Sequence, residues 1–181
     1  ELARLKGELA RERILTPEAR EALQTAHRHR AGSMDALRLA VESQALEPAA
    51  EAGDVLEQWR QQAVRIVARM PVLAAAYARL RGGAEPIVPP GDLGHAAAYL
   101  YALRGAAADP GAVRALETYL NTVVDHGLNA STFAARVVAS THSDMVAAVA
   151  AGLAALKGPL HGGAPGPALE MMETIERRMQ A

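Results

Sequence analysis

Two runs, Asn121-Thr-Val-Val-Asp-His126-Gly-Leu-Asn129-Ala-Ser-Thr-Phe133 and Lys157-Gly-Pro-Leu-His161-Gly-Gly163, flank a stretch of apolar, helix-like sequence. Each places a histidine beside glycine at a break between apolar segments. Glycine carries no side chain, so a ligand can approach the backbone there. His161 lies in a glycine- and proline-lined turn ahead of a helix that opens near Pro165. The positive end of a helix disfavours an imidazolium, which makes His161 a neutral hydrogen-bond donor suited to a developing enolate or oxyanion. A bare turn cap explains the same residues. His126 follows an apolar stripe at the expected C-terminal end of a helix, where positive charge is favoured. It is read either as an imidazolium binding a carboxylate or as a helix-end histidine satisfying free carbonyls.

Moving outward, His142 with Asp125, His126 and Asp144 could surround a metal, but the spacing matches no tight metal motif, and no metal is expected. Ser131 and Ser143 lack a Gly-x-Ser-x-Gly elbow and read as helix caps. Arg136 interrupts an apolar helix and calls for a carboxylate, within the chain or on an anionic ligand, the intrachain salt bridge being the simpler reading. His27, Arg28, His29 and Arg30 read as a solvated helix end, and Trp59 as packing.

The remaining pattern is helical. Only one Phe, one Trp and four Tyr occur among 181 residues, and no run alternates with period two. Leu2, Leu5 and Leu9 begin a first helix; Thr16-Pro17-Glu18 caps a second; Ser33 is expected to cap a third carrying Met34, Leu37 and Val41. After a loop from Glu47 to Asp54, a long helix runs to Leu80, where Pro71 predicts a kink or two abutting helices. Arg81 to Gly91 is loop, Asp92 is expected to cap a helix ending at Gly105, and Asp109-Pro110 starts another. Asn129 or Ser131, then Asp144, start the next two helices, and Pro165 opens the last. The run Val146 to Leu156 is apolar nearly all round, which places it centrally or under a partner subunit. The expectation is an all-α protein of nine or ten helices.

Apolar residues make up 50% and charged residues 22%, with net charge −1, a globular balance that excludes a nucleic-acid surface. The longest apolar run, Met145 to Leu156, falls short of the ~20 residues of a membrane span. Absence of cysteine excludes disulfides and thiolate chemistry and fits a reducing compartment, so the expected location is cytoplasmic. The chain opens without Met inside an amphipathic pattern, and a piece of a longer protein is expected.

Asp125-His126-Gly-Leu-Asn129-Ala-Ser-Thr-Phe133-Ala-Ala-Arg136-Val-Val-Ala-Ser140-Thr-His-Ser-Asp144, followed by Leu156-Lys-Gly-Pro-Leu-His161-Gly-Gly-Ala164, resembles the citrate synthase family. Ser33-Met-Asp-Ala-Leu-Arg38 and Ala97-Ala-Tyr-Leu-Tyr-Ala-Leu103 are similar to two further family segments, so the resemblance covers nearly the whole chain from about Leu15. It implies a multi-helical large domain, with the small domain largely absent, and condensation of acetyl-CoA with oxaloacetate followed by thioester hydrolysis. It further implies His161 as the catalytic histidine that stabilises the acetyl enol, and His126 with Asn129 as oxaloacetate-binding residues. The CoA thioester is a substrate, no bound cofactor is implied, and CoA-binding residues stay unassigned. The family pattern is a homodimer closed through helices near 64–81, 92–104, 130–141 and 144–156. Several departures stand beside this. A Gly-His-Arg-Val-Tyr segment and a later aspartate base do not occur in these residues, Gly127 stands where many members have Glu, and Pro165 where many have Asn. They leave two alternatives: a citrate synthase-like protein without catalysis, serving ligand binding or assembly, and a 2-methylcitrate synthase using propionyl-CoA. For want of a base, the 181 residues alone are expected to be inactive.

Overall fold

The computed structural model of the protein describes residues 1–48, 54–163 and 165–180. Among these, all regular structure is helical: α1 (Leu2–Glu12), α2 (Pro17–Arg28), α3 (Ser33–Glu42) with a 3-10 turn (Ser43–Leu46), α4 (Val55–Arg81), α5 (His95–Arg104), α6 (Pro110–Val123), α7 (Ala130–Ser140), α8 (Met145–Leu156) and α9 (Pro165–Met179). The loop expected after Glu47 lies largely outside the described residues.

Side-chain caps set most helix starts. Thr16 accepts from Ala19 N at 3.2 Å, Asp54 from Glu57 N at 2.8 Å, and Asp109 from Ala112 N at 3.0 Å. Each supplies an acceptor to an amide that the first turn leaves free. Gly105 closes α5 in the left-handed region with φ +81°. Two expectations need correction. Ser33 is the first residue of α3 rather than its cap, and its hydroxyl instead accepts from Arg81 Nη1 at 3.0 Å. Asp92 caps nothing; α5 starts at His95 behind Gly94, because the chain turns once more before the helix. Of the two outcomes expected at Pro71, abutting helices do not occur, since α4 runs as one helix of 27 residues. Burial of Pro71 with Val72 and Leu73 offsets the one helical hydrogen bond that proline removes.

The core joins four helices. Ala19, Leu23 and Ala26 of α2 pack with Ala36, Ala40 and Val41 of α3, Leu73, Ala76, Tyr77 and Leu80 of α4, and Leu153 of α8. The Tyr77 hydroxyl donates to the Ala31 carbonyl, so the ring is buried without stranding its polar tip. Helix α8 packs against α3, α4 and α7, burying Ala148, Ala150 and Leu153 fully and most of its other residues in part. Its contact with α7 is close: a Cβ at Gly152 would lie 3.4 Å from the Ser131 carbonyl oxygen and 3.7 Å from Ala135 Cβ. By contrast α6 and α7 bury no residue fully within the chain. The α2 end at His27 to Arg30 is exposed, as its charges require.

Candidate active site around His161

The chain leaves α8 at Lys157, whose amide still bonds to the Leu153 carbonyl at 3.0 Å, and then folds back on itself. His161 N donates to Gly158 O at 2.9 Å, and Gly162 N to Leu156 O at 3.0 Å. This tight return explains the two glycines. A Cβ at Gly162 would stand 2.2 Å from the Leu156 carbonyl oxygen, and one at Gly163 would stand 2.9 Å from that of Pro159. A side chain at either position would collide with backbone, so the turn closes only with glycine at both.

His161 is half-buried, and its Nε2 shares a 2.7 Å hydrogen bond with Ser131 Oγ. Of the two residues expected to cap α7, Asn129 does so and Ser131 does not, the Asn129 Oδ1 accepting from Thr132 N at 3.0 Å. With its backbone carbonyl laid over Gly152 of α8, Ser131 is free to aim its hydroxyl at the imidazole. The bond fixes the ring and leaves Nδ1 as the nitrogen without a partner among the described residues. In the tautomer where Nε2 accepts from the Ser131 hydroxyl, the proton is on the open Nδ1, and a pinned N–H of that kind is the donor that stabilises developing negative charge on oxygen.

His126 stands just beyond the C-terminal end of α6. Helix α6 stops at Val123, and Asp125 Oδ1 accepts from Gly127 N at 2.9 Å while Gly127 takes φ +58°. The side-chain turn at Asp125 follows the helix end, and His126 stands exposed in the loop. Its ring has no hydrogen-bond partner among the described residues. Asn129, three residues on, has its oxygen committed to the α7 cap, leaving its amide nitrogen for a ligand. His126 and Asn129 thus sit on the loop that enters α7, and His161 sits on the turn that leaves α8. The Ser131–His161 bond ties these two loops together.

Other candidates separate from the site. Arg136 is exposed and forms no ion pair among the described residues, contrary to the expected salt bridge; α7 is peripheral enough that water solvates the guanidinium. His142 is exposed with φ +62° and forms the left-handed residue that ends α7. No group of three metal-ligating side chains converges among the described residues.

Among the buried polar residues that the sequence did not mark, two lie together beside α5. Arg13, buried, donates Nη1 to Leu93 O at 3.0 Å, and its Nε has no partner. His95, at the start of α5, has a buried Nδ1 without a partner. Burial first, and Arg13 second, hold its imidazole neutral to lower pH than an ordinary histidine. Both line a mostly apolar cavity of about 720 Å³ between α1, α5 and α6, with Leu5, Leu9, Leu93 and Leu120. Nothing in their local sequence marks them, since burial of a polar residue is a tertiary property.

The geometry defines an all-helical protein built round a serine-bonded histidine on a double-glycine turn. The family model described as "Citrate synthase, C-terminal domain" matches residues 1–181, and the chain belongs to the citrate synthase family. It is 39% identical over 176 residues to citrate synthase 2 of Bacillus subtilis, covering 97% of this chain and 47% of that protein. The structure of citrate synthase from Pyrobaculum aerophilum superposes with TM-score 0.86 at 38% identity, over 97% of this chain and 46% of that one. The ternary complex of carboxymethyl coenzyme A and oxaloacetate with the Thermoplasma acidophilum citrate synthase superposes with TM-score 0.86 at 28% identity, over 97% and 45%. The chain therefore spans about half the length of the relatives it matches. No described helix is long and apolar enough to cross a membrane.

Proposed function

We propose that these residues form part of a citrate synthase-type acyltransferase site that condenses acetyl-CoA with oxaloacetate to give citrate and CoA. The observation that carries this reading is the Ser131–His161 bond, which pins an imidazole with one nitrogen open. In it, His161 donates a hydrogen bond to the thioester oxygen and stabilises the enol formed when the methyl proton leaves. His126 and the Asn129 amide hold oxaloacetate beside it. The substrates bound in the Thermoplasma acidophilum complex support the ligand classes. Residues 1–181 act as the helical large domain, and the protein works as a homodimer in the cytoplasm.

No described carboxylate contacts His161, so the base that takes the methyl proton is not among its neighbours here, and the 181 residues alone are silent in turnover. Binding is therefore the sharper test. Calorimetry with oxaloacetate and then carboxymethyl-CoA is expected to show both ligands bound. His126→Ala should weaken oxaloacetate, and His161→Ala should weaken the CoA analogue while sparing oxaloacetate. Binding of neither ligand by this chain, together with no thiol release from acetyl-CoA by a longer form carrying these residues, would remove the reading.

A second reading uses propionyl-CoA. A 2-methylcitrate synthase of Mycobacterium tuberculosis is 45% identical over 105 residues, 58% of this chain and 27% of that protein. Comparing propionyl-CoA and acetyl-CoA as thiol-releasing substrates separates the two.

A further inference from the structure

Lys157 and Asp35 stand 122 residues apart in sequence, yet Lys157 Nζ lies 2.7 Å from Asp35 Oδ1 and 2.8 Å from Oδ2. The charges sit where their own helices favour them. Asp35 lies in the first turn of α3, the positive end of that helix, and Lys157 is the residue that ends α8, the negative end. The ion pair thus closes the junction where the start of α3 meets the end of α8, two helices already packed together.

Its place relative to His161 gives it a further consequence. The carbonyls on either side of Lys157, those of Leu156 and Gly158, are the ones that accept the Gly162 and His161 amides and so build the turn. These two bonds fold the turn into one closed body on the end of α8. Besides the packing of Leu156 against the core, two side-chain ties hold that body: the Ser131 hydroxyl at the imidazole, and Lys157 at the base. The rest of the turn, from Pro159 to Leu160, is exposed and offers no third.

We infer that the Asp35–Lys157 ion pair is a positioning device for His161, anchoring the base of its turn to α3 so that the imidazole stays in register with Ser131. This rests on the reading of His161 as the enol-stabilising group for its catalytic meaning, but the positional claim can be tested without turnover.

The experiment is histidine-selective nitrogen NMR of this chain, with His161 assigned from the His161→Gln spectrum. The intact chain should show two well-separated ring-nitrogen resonances from a single fixed tautomer. Lys157→Met and Asp35→Asn should each draw the two resonances together as the ring exchanges between tautomers, to a similar extent as Ser131→Ala. Lys157→Arg, which keeps the charge, should restore the separation. A fall in melting temperature with unchanged His161 resonances would show an ordinary surface ion pair and overturn the inference. Should either charge variant fail to fold, the double variant Asp35→Asn with Lys157→Met removes both charges together; resonances as in the intact chain would again overturn it. In a form that turns over, the single variants should lower kcat about tenfold with little change in the oxaloacetate KM, in line with small misplacement of a catalytic group. Ring collapse without any acyl-CoA chemistry would remove the functional reading and keep the positional one. An unchanged ring in an active enzyme would do the reverse.

Discussion

At the residue scale, the site depends on what is missing as much as on what is present. A methyl at Gly162 would have to occupy the space of the Leu156 carbonyl oxygen. Gly162→Ala is therefore expected to break the Gly162 amide bond to Leu156 and to open the turn, at a cost of about 2 kcal/mol or more. A melting curve together with the His161 ring resonances measures both effects; an unshifted melt and an intact ring would show that the turn accommodates a side chain. The glycines were conspicuous in the sequence, but their reason was not. Read alone, Gly162 and Gly163 suggested room for a ligand, whereas the structure uses them to bring the backbone back over the end of α8. Ser131 shows the opposite failure. Its neighbour Asn129 competes for the same cap, and only the fold decides that asparagine wins and serine turns toward histidine.

At the element scale, the contact between α7 and α8 is set by Gly152. Alanine there meets the Ser131 carbonyl and Ala135 at ordinary van der Waals distance. Gly152→Ala should therefore be tolerated, while Gly152→Leu should wedge the helices apart, cost about 1–3 kcal/mol and release Ser131 from His161. Equal stability of the two variants would show that the helix spacing does not depend on this residue. A second element-scale expectation concerns α1, which is tied to α4 by Arg60. Arg60 Nη1 lies 2.7 Å from Glu8 Oε2, and Arg60 Nη2 lies 2.8 Å from Glu57 Oε1. The hydrogen bond from Arg60 is the main reason both carboxyls fall from 4.5 to about 2; Arg4 helps at Glu8 and Gln61 at Glu57. The unfolded chain takes up these protons first as pH falls. The stabilisation is thus complete above pH 4.5 and is lost between 4.5 and about 2. Amide exchange in α1 should speed up through that window in the intact chain, and Arg60→Met should flatten the pH dependence. Helix identities and most caps were legible from Thr16-Pro17, Asp54, Asp109-Pro110 and Asp144, because capping is local chemistry. Pro71 left a kink or two abutting helices open, and the second fails because burial around the proline, a tertiary property, lets the helix run on.

At the scale of the whole molecule, the exposed apolar surface is unevenly spread. Tyr119, Val123, Phe133 and Val137 on α6 and α7 are each at least 47% exposed, and α9 presents Leu169, Met172 and Ile175 to solvent. Surface of this kind supports association. Sedimentation at micromolar concentration should give a mass twice the chain's 19.0 kDa, and aspartate substitutions at Phe133 and Val137 should shift it toward one. A single-chain mass for the unsubstituted protein would count against the homodimer. The all-α class was plain from sequence, since period-two patterning is absent everywhere. The cavity with Arg13 and His95 was not, because it is walled by α1, α5 and α6, whose meeting no local pattern encodes. One feature of the site has a bearing on how the chain folds. Ser131 lies in α7 and His161 on the turn that leaves the next helix, α8, so the hydrogen bond between them closes a loop of only 30 positions. Contacts this near in sequence cost little chain entropy to form and tend to be made early. The helical hairpin that carries the histidine is thus expected to reach its geometry ahead of the distant pairing of α3 with α8, and late docking onto α3 would set the final placement of a unit already assembled.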